Sequence, residues 1–242
     1  MYFLPGLFFC AALCGCASTG DPRDPLESVN RAVFNFNDAV DKAVVKPVAI
    51  GYTLVVPDVA ITGVTNFFAN LGDFTIAANN LLQLKIRQAA SDVGRLVINS
   101  TVGLLGVLDI ASKLGLEKHN EDLGQTLGYW GVGNGPYLVL PLFGPTTARD
   151  GMGTAIQLFF DPITNSIDDP YSRNLVFLLK IVNTRATLLE LDKVLEAAAL
   201  DRYEFLREAY LQRRRSLVYD GNPPREKYEE DEDDGETTNP VR

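Results

Sequence analysis

The chain has 242 residues, a formal net charge of −9 and three cysteines, all of which lie within its first 16 residues. Residues 220–242 contain nine acidic and three basic residues, so the rest of the chain is nearly balanced and lacks the basic excess typical of nucleic-acid binding. Because no cysteine follows Cys16, the body of the protein has no disulfide and no thiol for catalysis or metal binding.

The N-terminal segment predicts an exported protein with a lipid anchor in the membrane. Residues 1–15 are apolar but too short to cross a bilayer, which needs about 20 apolar residues, and they fit a signal peptide. Leu13-Cys14-Gly15-Cys16 has the form of a lipoprotein processing box, so we expect a lipid on Cys16 and a tether over residues 16–23. Signal peptides normally begin with a Lys or Arg before the apolar residues, and this chain has neither there. The alternative is that Cys16 is an ordinary thiol after an ordinary signal peptide.

The body, residues 24–219, begins with a predicted helix. Asp24 is expected to be the N-cap, Pro25 the first helical residue and Glu27 the third, in a capping box. Apolar residues then recur every three or four positions and predict one apolar stripe. They are Leu26, Val29, Val33, Phe36, Val40 and Val44. We expect this helix to end at Lys46-Pro47, because the residue before proline disfavours the α conformation.

The next segment, Ala49 to Leu84, is apolar but interrupted by glycines and a proline, so it is not expected to form one membrane-spanning helix. We predict helical pieces over 55–71 and 73–97. Near the C-terminus, a further apolar face is predicted, and Asp201 with Glu204 predicts a second capping box. The residues of that face are Leu188, Leu191, Val194, Leu195 and Ala198.

Residues 128–153 interrupt the helical pattern, because they contain seven glycines and three prolines. Within them, Tyr137 to Phe143 (YLVLPLF) is almost wholly apolar. Such a segment has to be covered either by the protein's own core or by lipid or another protein, and the sequence alone favours the core.

Candidate catalytic residues are few. His119 is the only histidine, and beside Glu121 and Asp122 it is either a general base or, as we prefer, part of a surface polar cluster. No metal site, cofactor or enzymatic activity is predicted.

The arginines at 213–215 suit the C-terminus of a helix, with contact to lipid phosphates as the alternative. Residues 220–242 are expected to form a disordered, solvated acidic tail, with docking to a basic partner as the alternative.

Several motifs in order resemble the MlaA (VacJ) family of outer-membrane lipoproteins, from about Asp24 to Arg214. The motifs include Asp24-Pro25-Leu26-Glu27, Asn30-Arg31, Phe36-Asn37, Lys46-Pro47-Val48-Ala49, Asn66-Phe67-Phe68, Gly124-Gln125-Thr126-Leu127-Gly128, Trp130-Gly131, Gly135-Pro136-Tyr137 and Arg149-Asp150. Leu123 departs from the family, which usually has Phe there, and Asp73 lies near a position where proline is common.

The resemblance implies an all-α, ring-like domain with a central amphipathic channel, lying in the inner leaflet of the outer membrane on its periplasmic face. Members of the family remove phospholipids that have strayed into the outer leaflet, beside a trimeric porin, and pass them to a soluble periplasmic lipid carrier. By this resemblance the chain maintains lipid asymmetry without chemistry of its own. The competing hypotheses are a lipid hydrolase and a scaffold lipoprotein that transports nothing.

The resemblance also implies candidate residues for channel or lipid contact. One set lies on the first helix, where a core position for Phe36 and a capped or solvated Asn37 are the alternative. This set is Phe34, Asn35, Phe36 and Asn37. The other set comes from the apolar segment: Tyr137, Leu138, Leu140, Leu142 and Phe143.

Overall fold

A computed structural model describes residues 21–192 and 201–225 of the protein. Over these ranges the chain is mostly helical, which confirms the predicted fold class, and it contains one small sheet that was not predicted. Several predictions lie outside the described residues. They concern the signal peptide, Cys16, residues 16–20 of the tether, the apolar face at Val194, Leu195 and Ala198, and residues 226–242 of the tail.

The described helices are α1 (Glu27–Val40), α2 (Lys46–Val55), α3 (Asp58–Leu82), α4 (Ile86–Thr101), α5 (Ile110–Lys113), α6 (Leu123–Tyr129), α7 (Ala148–Phe159), α8 (Pro162–Ser166), α9 (Pro170–Thr187) and α10 (Arg202–Val218). A π-helical segment, Asp41–Val45, joins α1 to α2. Strands β1 (Tyr137–Leu140) and β2 (Gly144–Thr147) form an antiparallel hairpin. Helix α3 packs on α4, α9 packs on α2 and α3, and α1 lies against β1.

The start of α1 differs from the predicted capping box. Helix α1 begins at Glu27, and no side chain caps it. Asp24 is instead fully buried, where it accepts a hydrogen bond from Asn30 Nδ2 at 2.8 Å and further bonds from the Tyr203 hydroxyl and Arg207 Nη1. The local pattern therefore gave the wrong role, because a cation and a hydroxyl from α10 bind this carboxylate.

The predicted helix end at Lys46-Pro47 is also wrong. The chain stays helical through Lys46, which has φ −62° and ψ −48°, and Pro47 lies in the first turn of α2. A proline in a first turn removes no intrahelical hydrogen bond. The π-helical segment before it lets a new helix begin without a loop, and the sequence pattern did not indicate that segment.

The predicted break near residue 72 is absent. Helix α3 runs unbroken from Asp58 to Leu82 through two glycines, and the break falls at residues 83–85, where Leu84 has a φ of +61°. Gly63 has a packing role, since a Cβ there would lie 3.0 Å from a methyl carbon of Val107 in the loop after α4. Of the second predicted capping box, the Asp201 cap is confirmed, because Asp201 accepts from the backbone N–H groups of Tyr203 and Glu204, whereas the Glu204 side chain binds Arg31.

The described interior is unusually polar, whereas many large apolar side chains are exposed. Buried charged residues include Asp73, Asp92, Arg95, Arg149, Asp150 and Arg214. On the outside, Leu54, Val55, Val59, Leu84 and Phe159 each expose more than three quarters of their surface. Large apolar side chains exposed in such numbers are typical of a protein that contacts a membrane or another protein. No helix in the described ranges has both the length and the hydrophobicity needed to cross a bilayer.

Candidate functional site

The hairpin is attached to α1 by two asparagines that lie seven residues apart on the helix. Asn30 Nδ2 donates to the Tyr137 carbonyl at 3.0 Å, and its Oδ1 accepts from Val139 N–H at 2.9 Å. Asn37 repeats this arrangement at the other end of β1, because its Nδ2 donates to the Leu140 carbonyl at 3.0 Å and its Oδ1 accepts from Leu142 N–H at 2.8 Å. These two amides pair with the backbone of β1 as a neighbouring strand would.

An aromatic cluster fixes the base of the hairpin. Tyr137 is only 2% exposed, and its ring makes edge-on contacts with Tyr203 and Tyr210 of α10 at centroid distances of 6.2 and 6.1 Å. Phe34 packs edge-on against Tyr203 at 5.7 Å. Burial, together with Asp24, raises the pKa of the Tyr203 phenol, so this residue stays a neutral hydrogen-bond donor. The base of the hairpin is thus part of the core.

The tip of the hairpin has the opposite environment. Leu142 is 71% exposed and Phe143 is 68% exposed, and Leu142 adopts a positive φ of +65°. The predicted core position of the apolar segment is therefore confirmed for the base of the hairpin only, and the protein's own core does not cover the tip. The alternation of buried Tyr137 and Val139 with half-buried Leu138 and Leu140 is that of a short strand.

The exposed tip borders a groove with a volume of about 500 Å³, between α1, the π-helical segment, the hairpin and α9. Its apolar lining comes from Val40, Val45, Leu142, Phe143, Ile181 and Leu188. Its polar lining comes from Asn37, Asp41, Lys180, Thr184 and Arg185. This size falls in the range of roughly 300–1,000 Å³ found for small-molecule sites.

An ion-pair network closes the side of the groove formed by the π-helical segment. Arg185 Nε and Nη2 bind the two oxygens of Asp41 at 2.7 and 2.9 Å, and Nη2 also binds Asp192 at 2.6 Å. Lys46 lies 2.9 Å from Asp192. These paired charges tie α9 to the junction of α1 and α2. Sequence analysis did not identify them, because Arg185 and Asp41 are 144 residues apart and Lys46 and Asp192 are further apart still.

The structure brings together some of the predicted contact residues and separates others. Asn37, Leu142 and Phe143 line the groove, whereas Phe34 and Tyr137 line a smaller adjoining cavity of about 190 Å³. Asn35 is exposed and Phe36 is 52% exposed, so neither of them has a core position. Lys180, Thr184 and Arg185 of α9 are groove residues that sequence analysis missed, since nothing in their local pattern distinguishes them from a solvated helix face.

The residues around His119 do not form the cluster that the sequence suggested. His119 Nδ1 lies 2.8 Å from Oδ1 of the buried Asp92. Glu121 binds Lys85 and Gln83 instead, and Asp122 binds Arg214. Across residues 21–192 and 201–225, no group of three or more potential metal ligands lies close enough to hold an ion.

The arginines at the end of α10 also differ in environment. Arg214 is buried and binds Asp122 through both terminal nitrogens, at 2.5 and 2.9 Å, and its Nη2 also binds Asp150 at 2.9 Å. It is therefore an internal link between α10, α6 and α7, and it is not available to a lipid phosphate. Burial opposes the charge on Asp122, but hydrogen bonds and the charge of Arg214 lower the pKa of this carboxyl below its usual value.

Fold and site together define a helical protein with a charged interior, an apolar exterior and an uncovered groove beside a fixed hairpin. These features are typical of a protein that contacts a membrane or another protein and binds an apolar ligand. The family model described as MlaA lipoprotein matches residues 22–217. The chain belongs to the MlaA lipoprotein family, as its motifs predicted.

Relatives and a solved structure agree with this assignment. The chain is 36% identical over 209 residues to the intermembrane phospholipid transport system lipoprotein MlaA of Escherichia coli K12, covering 83% of this chain and 82% of that protein. It is 31% identical to the protein of the same name in Haemophilus influenzae, covering 90% of each. A solved structure, described as the structural basis for maintenance of bacterial outer membrane lipid asymmetry, matches with a TM-score of 0.71 and 31% identity, covering 81% of this chain and 98% of that one.

Proposed function

We propose that this chain is a lipoprotein of the outer membrane that removes mislocalised phospholipids from the outer leaflet and passes them toward the periplasm. The observation that carries the proposal is the apolar groove at the exposed hairpin tip, on a protein whose large apolar side chains point outward. The relatives named for intermembrane phospholipid transport support it.

A channel through the protein lowers the large free-energy barrier for moving a phospholipid out of the bilayer. A two-tailed phospholipid has about 30 methylenes, and exposing them to water costs on the order of 20 kcal/mol at about 0.8 kcal/mol each. A wall that is apolar for the tails and polar for the headgroup removes most of this barrier. The groove offers both kinds of lining, and in this proposal it forms part of the amphipathic channel.

The proposal includes the anchor and the partners. Lipidated Cys16 adds to the attachment provided by the apolar exterior, because one acyl chain alone holds a protein to a membrane only marginally. A trimeric porin beside the protein and a soluble periplasmic carrier complete the path of the lipid. No covalent step is needed, so the chain is proposed to act as a conduit and to have no enzymatic activity.

Retention of lipid by the purified protein tests this function. We expect phospholipid to co-purify with the wild-type chain after extensive washing in mild detergent, and the double variant Leu142→Asp/Phe143→Asp to retain at least threefold less, because two charges at the tip disfavour acyl chains. Mass spectrometry of extracted lipid measures the ratio of lipid to protein. Leu114→Asp is the control, since Leu114 is similarly exposed but does not line the groove. Absence of lipid from the wild type, or equal retention by the tip variant, would contradict the proposal.

A further inference from the structure

Among the described residues, the groove contains one cation that has no carboxylate partner. Of its charged lining residues, Arg185 and Asp41 are bound to each other. Lys180 has no carboxylate within ion-pair distance in the described ranges, and its Nζ lies 5.9 Å from the centroid of the Phe68 ring. This distance is near the outer limit of a cation–π contact, so the contact satisfies little of the ammonium's capacity for hydrogen bonds.

The environment of Lys180 favours an anionic ligand. The side chain is half-buried, and it lies beside Ile181 on a groove whose remaining lining is largely apolar. A charge that is partly removed from water is stabilised by a counter-charge, and a hydrogen bond to a charged group is stronger than one between neutral groups. Since Asp41 is already matched by Arg185, the groove has an excess of one positive charge.

A second polar group lies next to this cation. Thr184 follows Lys180 by four residues in α9, so the two share one face of the helix, and both line the groove. A threonine hydroxyl donates one hydrogen bond and an ammonium donates up to three. Together they match the non-bridging oxygens of a phosphate diester, while Val40, Leu142 and Phe143 offer apolar contact to attached chains.

From this arrangement we infer that Lys180, assisted by Thr184, binds the phosphate of a phospholipid headgroup while the acyl chains lie along the apolar side of the groove. The inference rests on the proposed function and adds to it the residues that recognise the headgroup. The inferred site requires a ligand that has both a phosphate diester and apolar chains. A free phosphate lacks the chains, and a diacylglycerol lacks the phosphate.

Binding of matched lipids to the full-length protein in detergent tests the inference. Native mass spectrometry would measure the affinities for phosphatidylglycerol, for diacylglycerol with the same chains and for inorganic phosphate. Lys180→Met keeps the length of the side chain and removes the charge, and Lys180→Arg keeps the charge. Lys113→Met is the control, because Lys113 is exposed and does not line the groove. Equal thermal midpoints would show that each variant is folded.

We expect Lys180→Met to weaken phosphatidylglycerol binding about tenfold, the change expected for loss of a charged hydrogen bond, and to leave diacylglycerol binding unchanged. Lys180→Arg and Lys113→Met should bind as the wild type does, and inorganic phosphate should not compete at millimolar concentration. Unchanged phosphatidylglycerol binding in Lys180→Met would overturn the inference, as would an equal loss of diacylglycerol binding or effective competition by phosphate alone. A wild type that binds neither lipid would instead overturn the proposed function.

Discussion

Replacing Arg214 by methionine is expected to destabilise the protein by about 3 kcal/mol, because it leaves a buried carboxylate without its main partner. Arg214 joins α10 to α6 and α7 through Asp122 and Asp150, and the Asp150 side chain is almost fully buried. The expected loss of stability lies at the lower end of the range for broken buried ion pairs. The reason is that Arg149, which lies 2.9 Å from Asp150, remains as its partner.

Arg213→Met is the matched control for this prediction. It removes the same charge one position earlier, but Arg213 is exposed. The free energy of unfolding of this variant should therefore stay within about 0.5 kcal/mol of the wild-type value. Chemical denaturation of the detergent-solubilised proteins, followed by circular dichroism, gives both free energies of unfolding. Equal stabilities of the two variants would show that the internal link contributes little to the fold.

The second large effect is expected from Asn30→Ala, which should detach the base of the hairpin from α1. Asn30 is 2% exposed and bonds to Asp24 as well as to two backbone groups of β1. Truncation leaves the Tyr137 carbonyl and the Val139 N–H buried without their α1 partner. Each unsatisfied group costs about 1–3 kcal/mol, so we expect a total loss of about 3 kcal/mol.

The hairpin should also become more mobile in this variant. Hydrogen–deuterium exchange would show faster exchange at Val139 N–H, whose donor bond to Asn30 is lost. Asn35→Ala is the control, since Asn35 lies on the exposed side of the same helix and should alter neither stability nor exchange. If Asn30→Ala leaves exchange at the hairpin unchanged, the side-chain amide is not what holds β1 in place.

The sequence was sufficient for the fold class and for features set by local chemistry. The Asp201 cap of α10 was predicted correctly, because one carboxylate oxygen accepts from the next backbone N–H groups while the distant Arg31 binds only the other oxygen. Asp24 gave the same local signal, but Arg207 and Tyr203 bind it across about 180 residues. A capping pattern gives no information about such distant partners.

The groove was predicted only in part, for a similar reason. The apolar residues at the hairpin tip were predicted because they belong to an almost wholly apolar segment. Lys180 and Arg185 were not predicted, because they lie in an ordinary amphipathic helix. Their position in the groove depends on the π-helical segment, which joins α1 to α2 and whose Asp41 binds Arg185 of α9. Asn30 and Asn37 were recognised as family motifs, but their binding to β1 depends on a hairpin that the glycine-rich sequence did not predict.

The most direct test of the central claim measures phospholipid exposed on the surface of cells that lack the gene. The account predicts that deletion raises surface-exposed phospholipid, that the wild-type chain restores the normal level, and that Cys16→Ser restores it poorly because the anchor is lost. Full restoration by the Leu142→Asp/Phe143→Asp variant, or no change on deletion, would contradict the account.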